Sequence, residues 1–443
     1  MLQRLCKLLL GACLVATSVG NSACGSDAPV EEALRDDLTL TTYKTTIRNG
    51  LSDRVQIDIP FGVDSFLIEV KGKKGLYFLT EFVTPSGQDL IEGAKFVTRG
   101  AREVPGLVNW LYPNSPELRA EEGTYTITIR GRDAFTGNNL SAEEIDISIY
   151  TPEVKPQETC GIHLDFLVDD AAIDLASFED AVASIVETVD RDFRQVGIKV
   201  ADYQFYRVDM QSSDINLGDN SAISVVDDVL DKTIPNGAAR DNAVHVMLVR
   251  RVGGSDNPTF DPAGYSMGLP GPYAADRGTA AVLVSTELYA DFDGFLDADG
   301  LASSLSHEIG HFLGLYHTSE RNGVNHDPIG DTPECDSEFT CSDPFRKNIM
   351  TSSFWLQGAD PSTRNRFSEG QGRVMRGHPL CEPMNVQVLP PPIDECTLEC
   401  TAPNTCAVTN SRMSCETACD PNAATPCETG VCTSDELGTF VCL

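Results

Sequence analysis

Positive charge is scarce in this 443-residue chain: 33 lysines and arginines stand against 66 aspartates and glutamates, a formal net charge of -33. A polyanion would be repelled over much of such a surface, so nucleic acid and anionic membrane are excluded as expected partners, while solubility and cation binding are favoured. Long apolar runs are missing after residue 24, and no later segment is long enough to span a bilayer as a helix. Cysteine is missing between Cys24 and Cys160, although the chain has 15 in all. A hydrophobic fraction of 41% still suffices for packed cores, and the length suggests two or three domains once a leader is set aside.

Residues 1–24 have the form of that leader. Arg4 and Lys7 precede an apolar stretch from Leu8 to Val19, and the small residues Ser22, Ala23 and Gly25 surround Cys24. A secretory signal peptide is expected over 1–24, making the protein extracytoplasmic, as a bacterial outer-membrane lipoprotein or a secreted protein. Setting aside Cys6, Cys13 and Cys24 leaves 12 cysteines, an even number able to pair in an oxidising compartment, and plain cleavage before Cys24 would add an odd thiol. Lipidation of Cys24 is therefore the expectation, with membrane association only through that anchor. Asn21, where a lipobox prefers an aliphatic residue, keeps free secretion open.

The rest divides by texture. Residues 25–37 read as an acidic tether. Residues 38–152 alternate with period two, as in Val55-Gln56-Ile57-Asp58-Ile59, Tyr125 to Ile129 and Ile145 to Ile149, with turn signals at Asn49-Gly50 and Pro85-Ser86-Gly87. Half-buried strands of this kind predict an all-β antiparallel sandwich. After a linker with Pro152 and Pro156 the pattern turns to mixed α/β over 159–385. Strands are predicted at Ile162–Val168, Ile198–Tyr206, His245–Val249 and Ala280–Ser285, and an amphipathic helix over Ser177–Gln195, stopped by Gly197. Beyond Pro390-Pro391-Pro392, residues 393–443 hold eight cysteines in two loose units, too short for a large core and expected to be held by disulfides.

The chemistry lies between Leu301 and His317. His307 and His311 are four apart, so on a helix both imidazoles share one face and can ligate one ion. Leu305, Ile309 and Phe312 supply an apolar stripe on the other side. Gly314 lets the chain leave the helix, and the turn brings His317 round as third ligand. Three protein ligands leave a tetrahedral zinc ion one open position, the arrangement of a catalytic site. Glu308, beside the first ligand, is placed to reach a water activated by the zinc, and is expected to act as general base and then pass the proton to the leaving amine. A bare H-E-x-x-H arises by chance in about one in a hundred chains of this length, and Gly314 with His317 cuts that by about a thousandfold, so a helix with incidental histidines is set aside.

With H-E-x-x-H-x-x-G-x-x-H complete, the stretch resembles the metzincin zinc peptidases, and in detail the pappalysin (cytophagalysin-like) family. The residues that carry this are His307 to His317, Asp327-Pro328-Ile329-Gly330-Asp331-Thr332-Pro333-Glu334-Cys335, and Asn348-Ile349-Met350. Phe367-Ser368-Glu369-Gly370-Gln371 is similar to the family's closing helix, and Ser368 with Gln371 makes a capping box on physical grounds. Gly264 to Pro270 resembles the segment before the edge strand along which substrate lies extended. The resemblance spans about residues 160–381. It implies a Met-turn at Met350 beneath the zinc and calcium on Asp327, Asp331 and Thr332, hard oxygen ligands on one loop. One position departs: Ser352 stands where such enzymes often carry a tyrosine, leaving the oxyanion side of the site unassigned.

Other residues have plainer readings. Asp297 is expected to cap the zinc helix, with Asp291 to Gly294 a turn before it. His326 reads as a solvated loop histidine, His163, His245 and His378 as structural, and Cys160, Cys335, Cys341 and Cys381 as two disulfides. The gap from Cys24 to Cys160 removes any N-terminal thiolate able to block the zinc. The expected protein is a monomeric zinc endopeptidase acting on protein or peptide substrates. Two alternatives are a surface adhesion or binding protein with a vestigial zinc domain, and a peptidoglycan amidase; the intact Glu308 argues against the first and nothing favours a glycan.

Overall fold

The computed structural model describes residues 28–391 apart from 74, 92–103, 154–158, 211, 218–220, 235–239, 241, 254–261, 275–278, 291–295, 337–340 and 353–362, and beyond them 404–409, 412–417, 432–434 and 440–442. The leader with Cys24, the turn at Asp291 to Gly294 and most of the cysteine-rich module lie outside the described residues.

The N-terminal unit is built from β1 (Val30–Arg35), β2 (Leu38–Arg48), β3 (Leu51–Ser52), β4 (Val55–Ile59), β5 (Phe66–Lys71), β6 (Gly75–Val83), β7 (Leu107–Tyr112), β8 (Gly123–Asp133) and β9 (Ala142–Pro152). The alternation is as the sequence predicts: Val55, Ile57 and Ile59 are buried while Gln56 and Asp58 face solvent. The order is β4-β8-β3-β2-β9-β5-β7, with β1 on β2 and β6 on β8. The expected two-layer sandwich is thus one curled antiparallel sheet. The short β3 bonds both to β2 and to β8 and carries the ladder from one layer into the other. Period-two patterning says which side chains point inward, not whether two layers remain separate ladders. Phe66, Phe82, Tyr112 and Tyr125 fill the centre, their rings 5.2 to 6.3 Å apart in tilted and edge contacts. A second correction concerns residues 25–37: Val30–Arg35 do not form a tether but pair with β2, Val30 opposite Thr42.

The following unit contains β10 (Cys160–Val168), α1 (Leu175–Arg194), β11 (Ile198–Arg207), β12 (Asp214–Asn216), α2 (Ser221–Thr233), β13 (Val244–Val249), β14 (Arg251–Gly253), β15 (Gly264–Ser266), β16 (Ala281–Ser285), α3 (Ala298–Phe312), α4 (Asp343–Lys347), α5 (Glu369–Arg376) and β17 (Glu382–Pro383). Its main sheet runs β11-β10-β13-β16-β15, parallel except for the antiparallel edge strand β15, and the short β17 pairs antiparallel with the start of β10. The central β13 and β16 are buried throughout, as parallel strands covered on both faces are. Helix α1 starts where Asp174 accepts from Ser177 N at 3.0 Å and stops before Gly197, at φ 74°. Helix α3 is capped by Asp297, which accepts from Gly300 N at 3.1 Å.

Disulfides join Cys160 to Cys381 and Cys335 to Cys341. In the cysteine-rich module the strand registers set Cys406 opposite Cys415 and Cys432 opposite Cys442. No helix among the described residues is long and apolar enough to cross a membrane.

Candidate metal centre

Helix α3 is buried from Gly300 to Phe312. Leu305, Ile309 and Phe312 lock it into the core shared with β10 and α1. His307 and His311 leave it one turn apart. Gly314, at φ 105°, ends it, and Leu315 N donates to Gly310 O at 3.0 Å, so the chain doubles back and delivers His317 to the same point.

The three imidazoles converge through their Nε2 atoms: His311 Nε2 lies 3.1 Å from that of His307 and 3.2 Å from that of His317. Each Nδ1 faces an acceptor, Ile349 O at 2.6 Å for His307, Leu315 O at 2.7 Å for His311 and the Glu320 carboxylate at 3.2 Å for His317. Those acceptors place the ring protons on Nδ1 and turn three bare lone pairs toward one another. Burial, with the other two histidines and Arg364 nearby, holds His307 well below the usual imidazole range, so it stays neutral. Nitrogens about 2.0 to 2.1 Å from a tetrahedral zinc are about 3.3 Å apart, which the two spacings from His311 match. Among the described residues these three histidines are the cluster able to hold a metal.

Glu308 is buried beside them, and its Oε2 accepts from Ser266 N on β15 at 2.7 Å. Only a glycine fits opposite: a Cβ on Gly264 would stand 2.6 Å from Glu308 Cγ. Gly264-Tyr265-Ser266 is itself the edge strand, not a segment before it. Met350 lies under α3, where a Cβ on Gly310 would meet its sulfur at 2.5 Å. The turn is pinned to α5 by a reciprocal amide pair, Asn348 Nδ2 donating to Gln371 Oε1 at 3.0 Å and Gln371 Nε2 to Asn348 Oδ1 at 3.1 Å. Asn348 Oδ1 also accepts from Met350 N at 2.8 Å. The capping box of Ser368 and Gln371 is formed, so one glutamine caps its helix and holds the turn.

The three candidate calcium residues do different things. Thr332 donates to Asp327 Oδ1 at 2.6 Å, and Asp327 Oδ2 is buried without a hydrogen-bond partner. Asp331 instead turns to α5, accepting from Ser368 Oγ at 2.7 Å and Gly370 N at 2.8 Å, a carboxylate at a helix N-terminus. Calcium takes six to eight oxygens; here each Asp331 oxygen accepts one bond from the start of α5, while Asp327 and Thr332 bond to each other.

Two buried groups near the histidines carried no pattern in the sequence. Arg364 is buried with Nη1 3.3 Å from His307 Nδ1 and 3.2 Å from Thr351 O, and burial lowers its guanidinium below the ordinary arginine value. Asp192, near the end of α1, accepts from Ser306 Oγ at 2.9 Å, and burial pushes it up to about 7. Ser352 follows the Met350 turn, partly exposed. His326 bonds to Ser319 Oγ at 2.8 Å, apart from the trio. His378 is fully buried, faces Gly271 O at 3.1 Å and is pushed down to about 4.

No family model matches the chain, and no curated protein matches it. Among solved structures, archaemetzincin from Methanopyrus kandleri is similar at 16% identity and a TM-score of 0.28 over 49% of this chain and 94% of that one. Metalloproteinase-II from Bacteroides fragilis is similar at 14% identity and a TM-score of 0.27, over 42% of this chain and 59% of that one, so the match spans little more than half of the latter's length. Overlaps this slight leave the reading of the site to its own geometry.

Proposed function

We propose that this protein is an extracytoplasmic zinc endopeptidase of the metzincin type, resembling the pappalysins, that hydrolyses peptide bonds of extracellular proteins. The observation that carries the proposal is the convergence of three imidazoles, with His311 Nε2 3.1 and 3.2 Å from those of His307 and His317, and a buried carboxylate on the residue after the first.

Bound there, zinc would polarise the scissile carbonyl and lower the pKa of a water toward 7. Glu308 would be the group that takes a proton from water as its oxygen bonds to the carbonyl carbon, and that returns it to the amine nitrogen as the C–N bond breaks. Ser266 N–H fixes one carboxylate oxygen of Glu308, and Gly264 leaves room for the rest of its side chain. The substrate lies extended along β15, which ends the sheet order. Arg364, buried against His307 Nδ1, sets a cation behind that ring, on the side away from the converging Nε2 atoms. Disulfides in the catalytic unit support an oxidising compartment, and the protein acts as a monomer.

The test is zinc content and cleavage of a peptide library by wild type and Glu308→Ala. Zinc should be retained in both, with activity lower in the variant by about 10² to 10⁴, the range for a general base. Zinc-loaded wild type that cleaves nothing, or a variant as active as wild type, overturns the proposal.

A further inference from the structure

The N-terminal sheet turns an apolar row toward the zinc-bearing unit. Leu40, Tyr150, Leu67 and Leu111 stand side by side in register across β2, β9, β5 and β7. Tyr150, Leu67 and Leu111 belong to the core that contains α3, and Leu40 packs against it. This explains why all six residues of β7 are buried where alternation predicts half. Val108, Trp110 and Tyr112 enter the sheet's own core. Leu111 faces the other way, as does Asn109, whose Nδ2 donates to Pro270 O at 3.4 Å.

That contact reaches the turn that delivers the third histidine. A Cβ on Gly314 would lie 2.8 Å from Leu111 Cδ2, so the leucine closes over the glycine at which the chain leaves the helix. Two residues on, the buried Tyr316 hydroxyl is hydrogen-bonded to the side chain of Asn114, also buried, in the segment after β7. His317 is next. His307 and His311 are held by the helix ladder, whereas His317 lies beyond it. Its turn is clasped between α3 and the N-terminal sheet.

We propose that Leu111 and Asn114 are positioning residues for His317, which makes the N-terminal sheet a permanent part of the metal centre and not a segment to be removed on activation. The proposal rests on the reading of the trio as a zinc site. Supports behind metal ligands govern affinity by about 10- to 100-fold, and a misplaced third ligand has that effect.

The experiment is zinc affinity, by competition with a chelator, of the full chain and four variants, together with their thermal midpoints without metal. Asn114→Ala and Leu111→Ala should weaken zinc by about tenfold or more, and Leu111→Met, which keeps the volume, should restore it. Tyr150→Ala, on the same face but packed 5.2 Å from the Tyr273 ring and away from the turn, should lower the midpoint and leave zinc affinity unchanged. Equal affinity in wild type, Asn114→Ala and Leu111→Ala overturns the proposal, as does an equal loss in Tyr150→Ala, which would mark a general effect of stability. Wild type that binds no zinc overturns the metal reading itself, and this proposal with it.

Discussion

Asp327 holds a carboxyl in a place that disfavours its charge. Burial pushes it up to about 8, against which the bonds from Thr332 and Ile329 act only in part, and Oδ2 has no partner. The unfolded value is near 3.9. The native state therefore binds more protons than the unfolded one between about pH 4 and pH 8. Stability from this group is complete below about pH 4 and is lost as pH rises through 8. Asp327→Asn keeps an acceptor for Thr332 and removes the charge. Its thermal midpoint should exceed that of wild type by a few degrees at pH 8.5, as about 1 to 2 kcal/mol does in a domain of this size, and the gap should close by pH 4. A gap that is constant with pH would contradict the assignment. Calcium that raises the wild-type midpoint at pH 8.5 and leaves the variant unmoved would mark Oδ2 as a cation ligand. Spacing on the loop groups Asp327, Asp331 and Thr332; it does not show that Asp331 spends both oxygens on α5.

At the scale of elements, α3 sets intrinsic preference against packing. Alanine is favoured over glycine in a helix by about 1 kcal/mol, so propensity alone makes Gly310→Ala stabilising. Packing reverses the sign. The added Cβ would stand 2.5 Å from Met350 Sδ, Met350 is fully buried, and its backbone is held by Asn348. Overpacking of this kind costs about 1 to 3 kcal/mol, so the variant should melt lower and hold zinc more weakly; a higher midpoint would show that the methionine yields freely. The helix itself was legible in the sequence, because its N-cap at Asp297, its histidine spacing and its exit at Gly314 are all local. So were β4, α1 and the capping box at Ser368, for the same reason. What local pattern does not carry is pairing. The curl through β3 depends on Arg130, far along the chain, and the strand at Val30–Arg35 and the edge position of Gly264–Ser266 on pairings that periodicity does not report. Arg364 sits in a polar stretch without periodicity, and only the fold brings it to His307.

Across the whole molecule the same limit has a physical form: period-two alternation reports one buried face, and β7 has two because a second unit covers it. The covalent frame follows the opposite logic, since four cysteines in the second unit are countable from sequence while their pairing is a property of the fold. Cys160 and Cys381 are 221 residues apart, with Cα atoms 5.4 Å from each other, and join the first strand of the main sheet to the segment after α5. The same junction is zipped without the sulfurs: Cys160 pairs with Pro383 in register, Thr159 Oγ1 donates to Met384 O at 2.6 Å and Met384 N to Thr159 O at 3.1 Å. Removing this bridge should therefore leave the native geometry in place and act on the unfolded chain, whose freedom grows with the loop released. Cys160→Ala with Cys381→Ala should fold, bind zinc as tightly as wild type, and lose about 3 to 5 kcal/mol in denaturant unfolding. The Cys335 and Cys341 bridge closes a loop with a separation of only 6, so its removal should cost about 2 kcal/mol. Losses in the reverse order, or zinc affinity that falls with the long bridge, would mean that the disulfide shapes the folded site.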